Sequence, residues 1–469
     1  MLPLVELPEI VRHYAPWFES VFSSEALLQF QRYLGGLIIS ENKTVEGINR
    51  LFVIDSRNQS SLNRLLTASP FSEDALNQQR LALLNSLSGT QVKPKGVLSV
   101  DDTLLTHYGR HFDEIAYLRD TVDGGYKWAH NLVNLHYSDD QTDYPLHFRL
   151  WRPADLDKIE QGLQALGIRL RRGKFALKES QPKKWRQYLL GVWSRNQGKP
   201  GVAALYQSKL WIARGMLQTW VSQNPEWKLP VTFDSWYTQP AFCRFLDKEL
   251  GLPYVGTLTI KDQVTLPEGR VTLEQFANEL KQKHLDTVAS GGKPIFHKIG
   301  ITYKGEKETY YSYCRTHRIH NYGKQRLVIN FNESDLSDSP RFYNSNRLIW
   351  QSVGITRIRR HRWPVEVYHE EGKAEGLDKY QVRDFQAISR HIGLVAVAYS
   401  LLRATPHDEA LLHKLQRELE MNLEGSTPFW RRVSQAQSLW VLACFISAGL
   451  TQGQTLRGLM APLLAAVCA

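Results

Sequence analysis

Three carboxylates in this sequence stand where they could do chemistry together. Asp102 closes the run VLSVDD that begins at Val97, Asp234 closes VTFD that begins at Val231, and Glu366 follows Trp363-Pro364 in WPVEVYHEEGKAEG. Short β-branched runs that end in acid read as buried strands carrying charge at their tips. Proline at position 364 suits the first turn of a helix. Carboxylates on two strand ends and one helix are hard oxygen donors of the kind Mg²⁺ and Mn²⁺ prefer. Two such ions about 4 Å apart can activate a water or a 3′-hydroxyl and stabilise the leaving oxygen of a phosphodiester. Clustered carboxylates repel one another, so the group stays ionised only with cations beside it. Asp101 competes with Asp102 for the first position, because successive strand residues face opposite sides and only one can point at the ions.

Cations are close at hand in the sequence. Lys373 lies two helical turns beyond Glu366 and shares its face, as do His369 and Glu370. Arg359 and Arg362 precede Glu366, and with a helix starting at Pro364 they belong to the turn that enters it. The chain as a whole carries a formal charge of +11 with a pI near 9.3, which favours a polyanionic partner. Between Arg169 and Lys199 there are ten Lys or Arg against the single acid Glu179, so most of the excess sits in one stretch. Such concentration fits a track for a phosphate backbone, with Arg171, Arg172, Lys183, Lys184 and Arg186 as its candidate contacts. Trp185 and Trp193 inside the stretch read equally well as core.

The elements that must position these groups can be laid out from periodicity. Residues 1–92 read as an N-terminal helical domain, with helices over Ala26–Leu37, Thr44–Ile54 and Ser60–Leu66, a pattern that fits a helix-turn-helix-like DNA-binding domain and any other small helical domain equally well. From Pro94-Lys95-Gly96 the pattern changes, and Val97–Asp102, Trp128–Tyr137 and Tyr144–Trp151 predict an antiparallel meander. Helices are expected at Asp155–Leu166, Ser208–Val221 and Phe242–Leu250, and parallel strands at Val231–Asp234 and Tyr254–Ile260. Both aspartates fall in this first part of a core, 93–260. A strand-rich insertion, 261–350, separates them from a second part, 351–402, with the Glu-bearing helix and the helix over Phe385–Leu402. Residues 403–469 read as a helical region suited to dimerisation. The fold class is α/β.

Other classes fit less well. The longest apolar runs, Ile392–Leu402 and Leu439–Leu450, fall short of the roughly 18 residues a membrane span needs. The start MLPLVELPEI is acidic where an export signal is basic. Cys243, Cys314, Cys444 and Cys468 are too scattered for a disulfide scaffold, which points to a reducing cytoplasm. Cys314, His317 and His320 lie three apart, but no fourth zinc ligand is near and the segment alternates like a strand.

The block Arg359-x2-Arg362-x3-Glu366-x6-Lys373 resembles the Tyr-x2-Arg-x3-Glu-x6-Lys signature of DDE insertion-sequence transposases of the "insertion sequence four"-like clan, with Arg359 at the Tyr position. SVDDT, TFDSWY, the stretch Gly376–Arg383 and Arg390-His391 are similar to the same clan. The resemblance implies an RNase H-like mixed-sheet core with a β-rich insertion between the second Asp and the Glu. It implies two Mg²⁺ or Mn²⁺ ions on Asp102, Asp234 and Glu366, with Asp102 favoured because the catalytic Asp of the family directly precedes Thr. It further implies phosphate contacts from Arg359, Arg362 and Lys373, cleavage at transposon ends, strand transfer into target DNA, and a homodimer bridging two ends.

Two other readings compete. Paired carboxylates also serve glycosidases, although the basic stretch and the Arg–Arg–Glu–Lys block argue against a neutral sugar. A domesticated relative that binds double-stranded DNA without cutting it would keep the same charge pattern.

Overall fold

The computed structural model describes residues 4, 6–52, 57–120 and 123–423, with side chains described to residue 417. The chain divides into two compact units, 92–369 and a helical unit formed by 1–91 together with the segment from 370 onward.

The N-terminal part of the helical unit runs through α1 (Glu9–Tyr14), α2 (Ser24–Ile39), α3 (Val45–Asn49), α4 (Ser60–Thr67) and α5 (Glu73–Ser86). Ser23, Thr44 and Ser72 cap three of these helices, each accepting a backbone N–H three residues on.

The larger unit is built on one mixed sheet. Its strands are β1 (Val97–His107), β2 (Ala116–Arg119), β3 (Tyr126–Ser138), β4 (Asp143–Trp151), β5 (Val231–Phe233) and β6 (Tyr254–Leu258), then β7 (Gln263–Leu266), β8 (Gly269–Thr272), β9 (His297–Tyr303), β10 (Glu306–Ile319), β11 (Gly323–Phe331) and β12 (Arg341–Ser345). β1, β3 and β4 form the expected meander, β5 lies parallel to β1, and β6 lies parallel to β5. The order β4-β3-β1-β5-β6 is that of an RNase H-like core. Val97–Val100 and all of β5 are buried, as central strands covered on both faces must be.

Between β4 and β5 the chain forms α6 (Leu156–Ala165), α7 (Leu177–Ser180), α8 (Pro182–Asn196) and α9 (Lys209–Gln223). The helices α6 and α8 enclose their own small core, in which Trp185 and Trp193 pack with Ile159, Leu163 and Leu189. Both tryptophans of the basic stretch are therefore structural. Pro240–Arg244 is α10, continued by a wider π-helical turn to Glu249.

The insertion is strand-rich, as expected, with β7 to β12. It does not form a separate sheet: β12 pairs antiparallel with β6, and β11, β10, β7 and β8 extend the core sheet outward. It also holds a long helix, α11 (Leu273–Ala289), which covers the extension with Leu273, Phe276 and Ala277. The signal was in the sequence, since Thr272 and Gln275 form a reciprocal capping box ahead of that apolar spacing. Cys314 and His317 belong to the same region: Cys314 Sγ accepts from Arg326 Nε, and His317 Nε2 pairs with the Tyr313 hydroxyl.

α12 (Ser352–Arg360) and α13 (Trp363–Ala374) follow, then α14 (Phe385–Ala404) and α15 (Glu409–Leu423). The Glu-bearing helix starts at Trp363, one residue ahead of the expected proline. Phe385–His407 is long and apolar enough to cross a membrane by length and composition, which the shorter run Ile392–Leu402 had not suggested. Most of it is buried within the helical unit, where α14 packs against α2, α4 and α5. Its polar groups find partners there: Arg390 donates to the carbonyl of Leu66, and Ser400 accepts from Arg80. The proposed dimerisation region, 403–469, falls largely outside the described residues.

Arg390-His391, singled out by resemblance, is a pair of core residues. Nε2 of His391 donates to the carbonyl of Gly376, which can only accept, so Nδ1 is the acceptor for the Tyr33 hydroxyl at 2.8 Å. Gly376 takes φ of +106°, and a Cβ there would stand 2.9 Å from Cβ of Lys43, so only glycine fits beside that carbonyl.

Burial holds the His391 imidazole down at about 4, against an ordinary 6.5. The fold keeps it neutral while the unfolded chain takes up a proton. Its contribution is therefore complete above about pH 6.5 and is lost as pH falls toward about 4, a loss on the order of 3 kcal/mol. Denaturant titrations of the whole chain across this window should show the decline, and His391→Gln should flatten it while lowering stability at neutral pH by roughly 1–3 kcal/mol.

Candidate active site

The site begins with a register. Val100 of β1 pairs with Phe233 of β5, so the residues that follow each, Asp101 within β1 and Asp234 just past the end of β5, stand side by side at the same level. Alternation then separates Asp101 from Asp102. Asp101 shares its face of β1 with Ser99, and across the β3 pairing with Asn134 and His136. That face carries the Glu366 helix: Ser99 Oγ donates to the carbonyl of His361, Asn134 Nδ2 lies 2.9 Å from His369 Nε2, and the His136 ring packs against Tyr368. Asp102 turns to the opposite face, with Asn131 and the start of α9.

Arg362 sits between α12 and α13 and draws two acids together. One terminal nitrogen donates to Asp101 at 2.6 Å, and the other donates to Glu366 one helical turn on. Burial lowers the affinity of this guanidinium for its proton, but Asp101 and then Glu366 outweigh that and hold its pKa above the ordinary value. Arg362 thus reaches Glu366 although it precedes the helix. Arg359, in the last turn of α12, lies beside the Tyr343 ring, and its buried Nε has no hydrogen-bond partner. Burial and then the charge of Arg362 bring Arg359 down to about 10, which leaves it protonated at neutral pH.

Compensation is incomplete. Burial pushes Asp101 up to about 7; Arg362 opposes this, while Asp234 and Asp102 add to it. Asp234 is also raised, by burial first and by Asp102, against the N–H of Tyr237.

Asp102 has a different setting. Both its oxygens accept from the Lys209 ammonium at 2.9 Å, one accepts the Tyr237 hydroxyl at 2.8 Å, and the other accepts Asn131 Nδ2 at 2.6 Å. Ser208 caps α9 and so fixes where Lys209 starts. Tyr237 is fully buried, and burial followed by the Asp102 charge keeps its phenol protonated well beyond the usual range.

Among the described residues, no group of three or more His, Cys, Asp or Glu is gathered as a ready metal site. In this arrangement Arg362 stands between Asp101 and Glu366. The donor set still suits a hard divalent cation. The oxygens are carboxylates, and Asp101 and Asp234 are raised by burial first and by the neighbouring acids next.

A family model described as DDE superfamily endonuclease matches residues 18–278, more than half of the chain. The chain belongs to the DDE endonuclease superfamily. A second model, described as transposase DDE domain, matches residues 213–401. A search among curated proteins finds no match. The matched ranges take in both aspartates of β1, Asp234 and Glu366 of this DDE endonuclease.

Other residues selected from sequence are placed as follows. Lys373 is half-buried in the last turn of α13, two turns from Glu366. Arg171, Arg172, Lys183 and Lys184 are exposed on the helical insert, and Arg186 is half-buried there. Lys178 of the same stretch is engaged with Asp157 and Glu160. Sequence reasoning missed Asn131, Lys209 and Tyr237 around Asp102. Tyr237 was visible in the quoted TFDSWY, but nothing local marks Asn131 or Lys209, which only the folding of β3 and α9 brings in.

Replacing Lys209 with Met should strand Asp102 among its remaining partners and destabilise the chain by roughly 1–3 kcal/mol in denaturant titrations. Adding Asp102→Asn should recover much of that loss, and strictly additive effects would show that the pair is not coupled.

Proposed function

We propose that this DDE endonuclease is a transposase that cuts DNA at the ends of its element and joins them to a target. The observation that carries this reading is the Arg362 bridge, which ties a carboxylate in the middle of β1 to Glu366 while Asp234 leaves the neighbouring strand at the same level. The reading is supported by the transposase DDE domain match and by the basic helical insert.

Asp234, Glu366 and one aspartate of β1 would hold two Mg²⁺ or Mn²⁺ ions. The face shared with the Glu366 helix favours Asp101 for the first place over Asp102, the choice suggested by the Thr that follows it. The ions would supply an activated water or 3′-hydroxyl and stabilise the leaving oxygen. Asp102, held by Lys209, Tyr237 and Asn131, would keep this part of β1 in place from behind. Arg359, Arg362 and Lys373 would meet phosphate oxygens near the scissile bond, positioning the backbone rather than reading sequence. Arg171, Arg172, Lys183, Lys184 and Arg186, with the N-terminal helices, would grip duplex DNA farther away. A homodimer joining two ends, acting in the cytoplasm, completes the proposal.

The test is nicking of supercoiled DNA by the purified chain. Cleavage should require Mg²⁺ or Mn²⁺, and Asp234→Asn, Glu366→Gln and Asp101→Asn should each reduce it to background while DNA binding persists. Asp102→Asn should retain part of the activity. Full loss in Asp102→Asn with activity kept in Asp101→Asn would reverse the assignment. A DNA mobility shift without nicking under either metal would leave a binding protein in place of a nuclease.

Binding should also weaken steeply as salt rises. Lys183→Ala and Lys184→Ala should each make the logarithmic dependence of affinity on salt shallower by about 1. An unchanged slope would place the DNA elsewhere.

A further inference from the structure

We infer that α8 is a base-reading helix, laid in the major groove of duplex DNA with Gln187 toward the base edges. The inference rests on the DNA-binding reading above and adds sequence recognition to it.

α8 has two different faces. Trp185, Leu189, Val192 and Trp193 recur at helical spacing and are buried in the core shared with α6. Lys183, Lys184, Gln187, Ser194 and Arg195 are exposed, and Gly191 falls among them on the opposite side of the helix.

Three choices on this outer face work against a stable helix. Lys183 and Lys184 occupy a first turn that holds no acid, where the positive end of the macrodipole disfavours cations. Gly191 stands in the helix interior, where glycine is less favourable than alanine. No packing demands it: among the described residues, a Cβ there would meet only Nη1 of Arg195, at 3.3 Å, the movable end of a long side chain. α8 also contains no Asp or Glu, so Lys183, Lys184, Arg186 and Arg195 have no acidic i,i+4 partner within the helix. A face that breaks local rules with no gain in packing is shaped by something outside the fold.

Duplex DNA fits what that face offers. The major groove is about 12 Å wide and admits an α-helix. Lys183 and Arg195 lie about 18 Å apart along the axis, so the cations at the two ends meet phosphates on either side of the groove. Between them, the amide of Gln187 matches the donor and acceptor that adenine presents there, and the Ser194 hydroxyl can meet any base. Gly191 lets the helix axis come close. A track for phosphates alone would use the cations but needs neither Gln187 nor Gly191. Protein docking fits less well, because no large apolar side chain of α8 is exposed.

The experiment lets the full chain select from a pool of random-sequence duplexes in metal-free buffer, and the bound duplexes are sequenced. The wild type should enrich a motif. Gln187→Ala should erase the preference at the base pair it faces and weaken binding to the wild-type motif about tenfold. Gly191→Leu should lose the motif altogether by holding the helix off the groove. Its Tm should hold or rise, since leucine is the better helix former, which separates lost reading from lost structure. Both variants enriching the wild-type motif with undiminished affinity would mean that it is read elsewhere, and overturns the inference. So does a wild type that binds the pool without enriching any motif. A wild type that binds no duplex overturns the DNA-binding reading itself, and the reading helix with it.

Discussion

One guanidinium organises the site of this DDE endonuclease. Arg362 bonds to Asp101 in the middle of the central strand and to Glu366 on a helix that arrives much later in the chain, so a single cation spans strand and helix. Without it, two partly buried carboxylates would face each other and Asp234 at close range, an arrangement that burial and mutual repulsion both oppose. With it, the two acids are kept near one another. The charge is nonetheless short by enough to leave Asp101 and Asp234 raised.

The interface beneath the Glu366 helix is polar. Ser99, Asn134, His136 and Ser138 on the sheet meet His361, Tyr368 and His369 on the other side, and all are buried. Ser138 Oγ donates to the carbonyl of His361, as Ser99 Oγ does, and Asn134 engages His369. Apolar contacts would let a helix slide or rotate at small cost; directional bonds specify one placement. Precision at Glu366 is thereby built into the layer that supports it. The opposite face uses ionic and phenolic contacts instead, with Lys209 and Tyr237 holding Asp102.

The sheet extension shows how an RNase H-like core takes a long insertion without losing its geometry. Because β12 pairs with β6, the added strands continue an existing edge, and that edge no longer presents unpaired backbone groups. α11 closes the core of the extension, while Val328 and Tyr343 of the inserted strands also pack with Val97 of β1 and Val255 of β6. The helical insert between β4 and α9 works the same way, with its own core and a basic exterior.

Much of this architecture is legible in the sequence, because alternating and helical periodicities are local. The meander, the two parallel strands, the capped N-terminal helices and the helix around Glu366 can all be read there, as can the concentration of charge at 169–199. The helix α11 was equally legible through its Thr272–Gln275 capping box, but the strand-like segments on both sides outweighed it. What the sequence could not decide is the facing of Asp101 and Asp102. A shift of one residue in register exchanges the two faces of a strand, and that register comes from the pairing of β1 with β3 and β5, set by partners distant in the chain. The same holds for Asn131 and Lys209 around Asp102. Residue types and spacing determine which chemistry is within reach. Only the tertiary structure decides which side chains share a face, because partners remote in sequence meet through the packing of whole strands and helices.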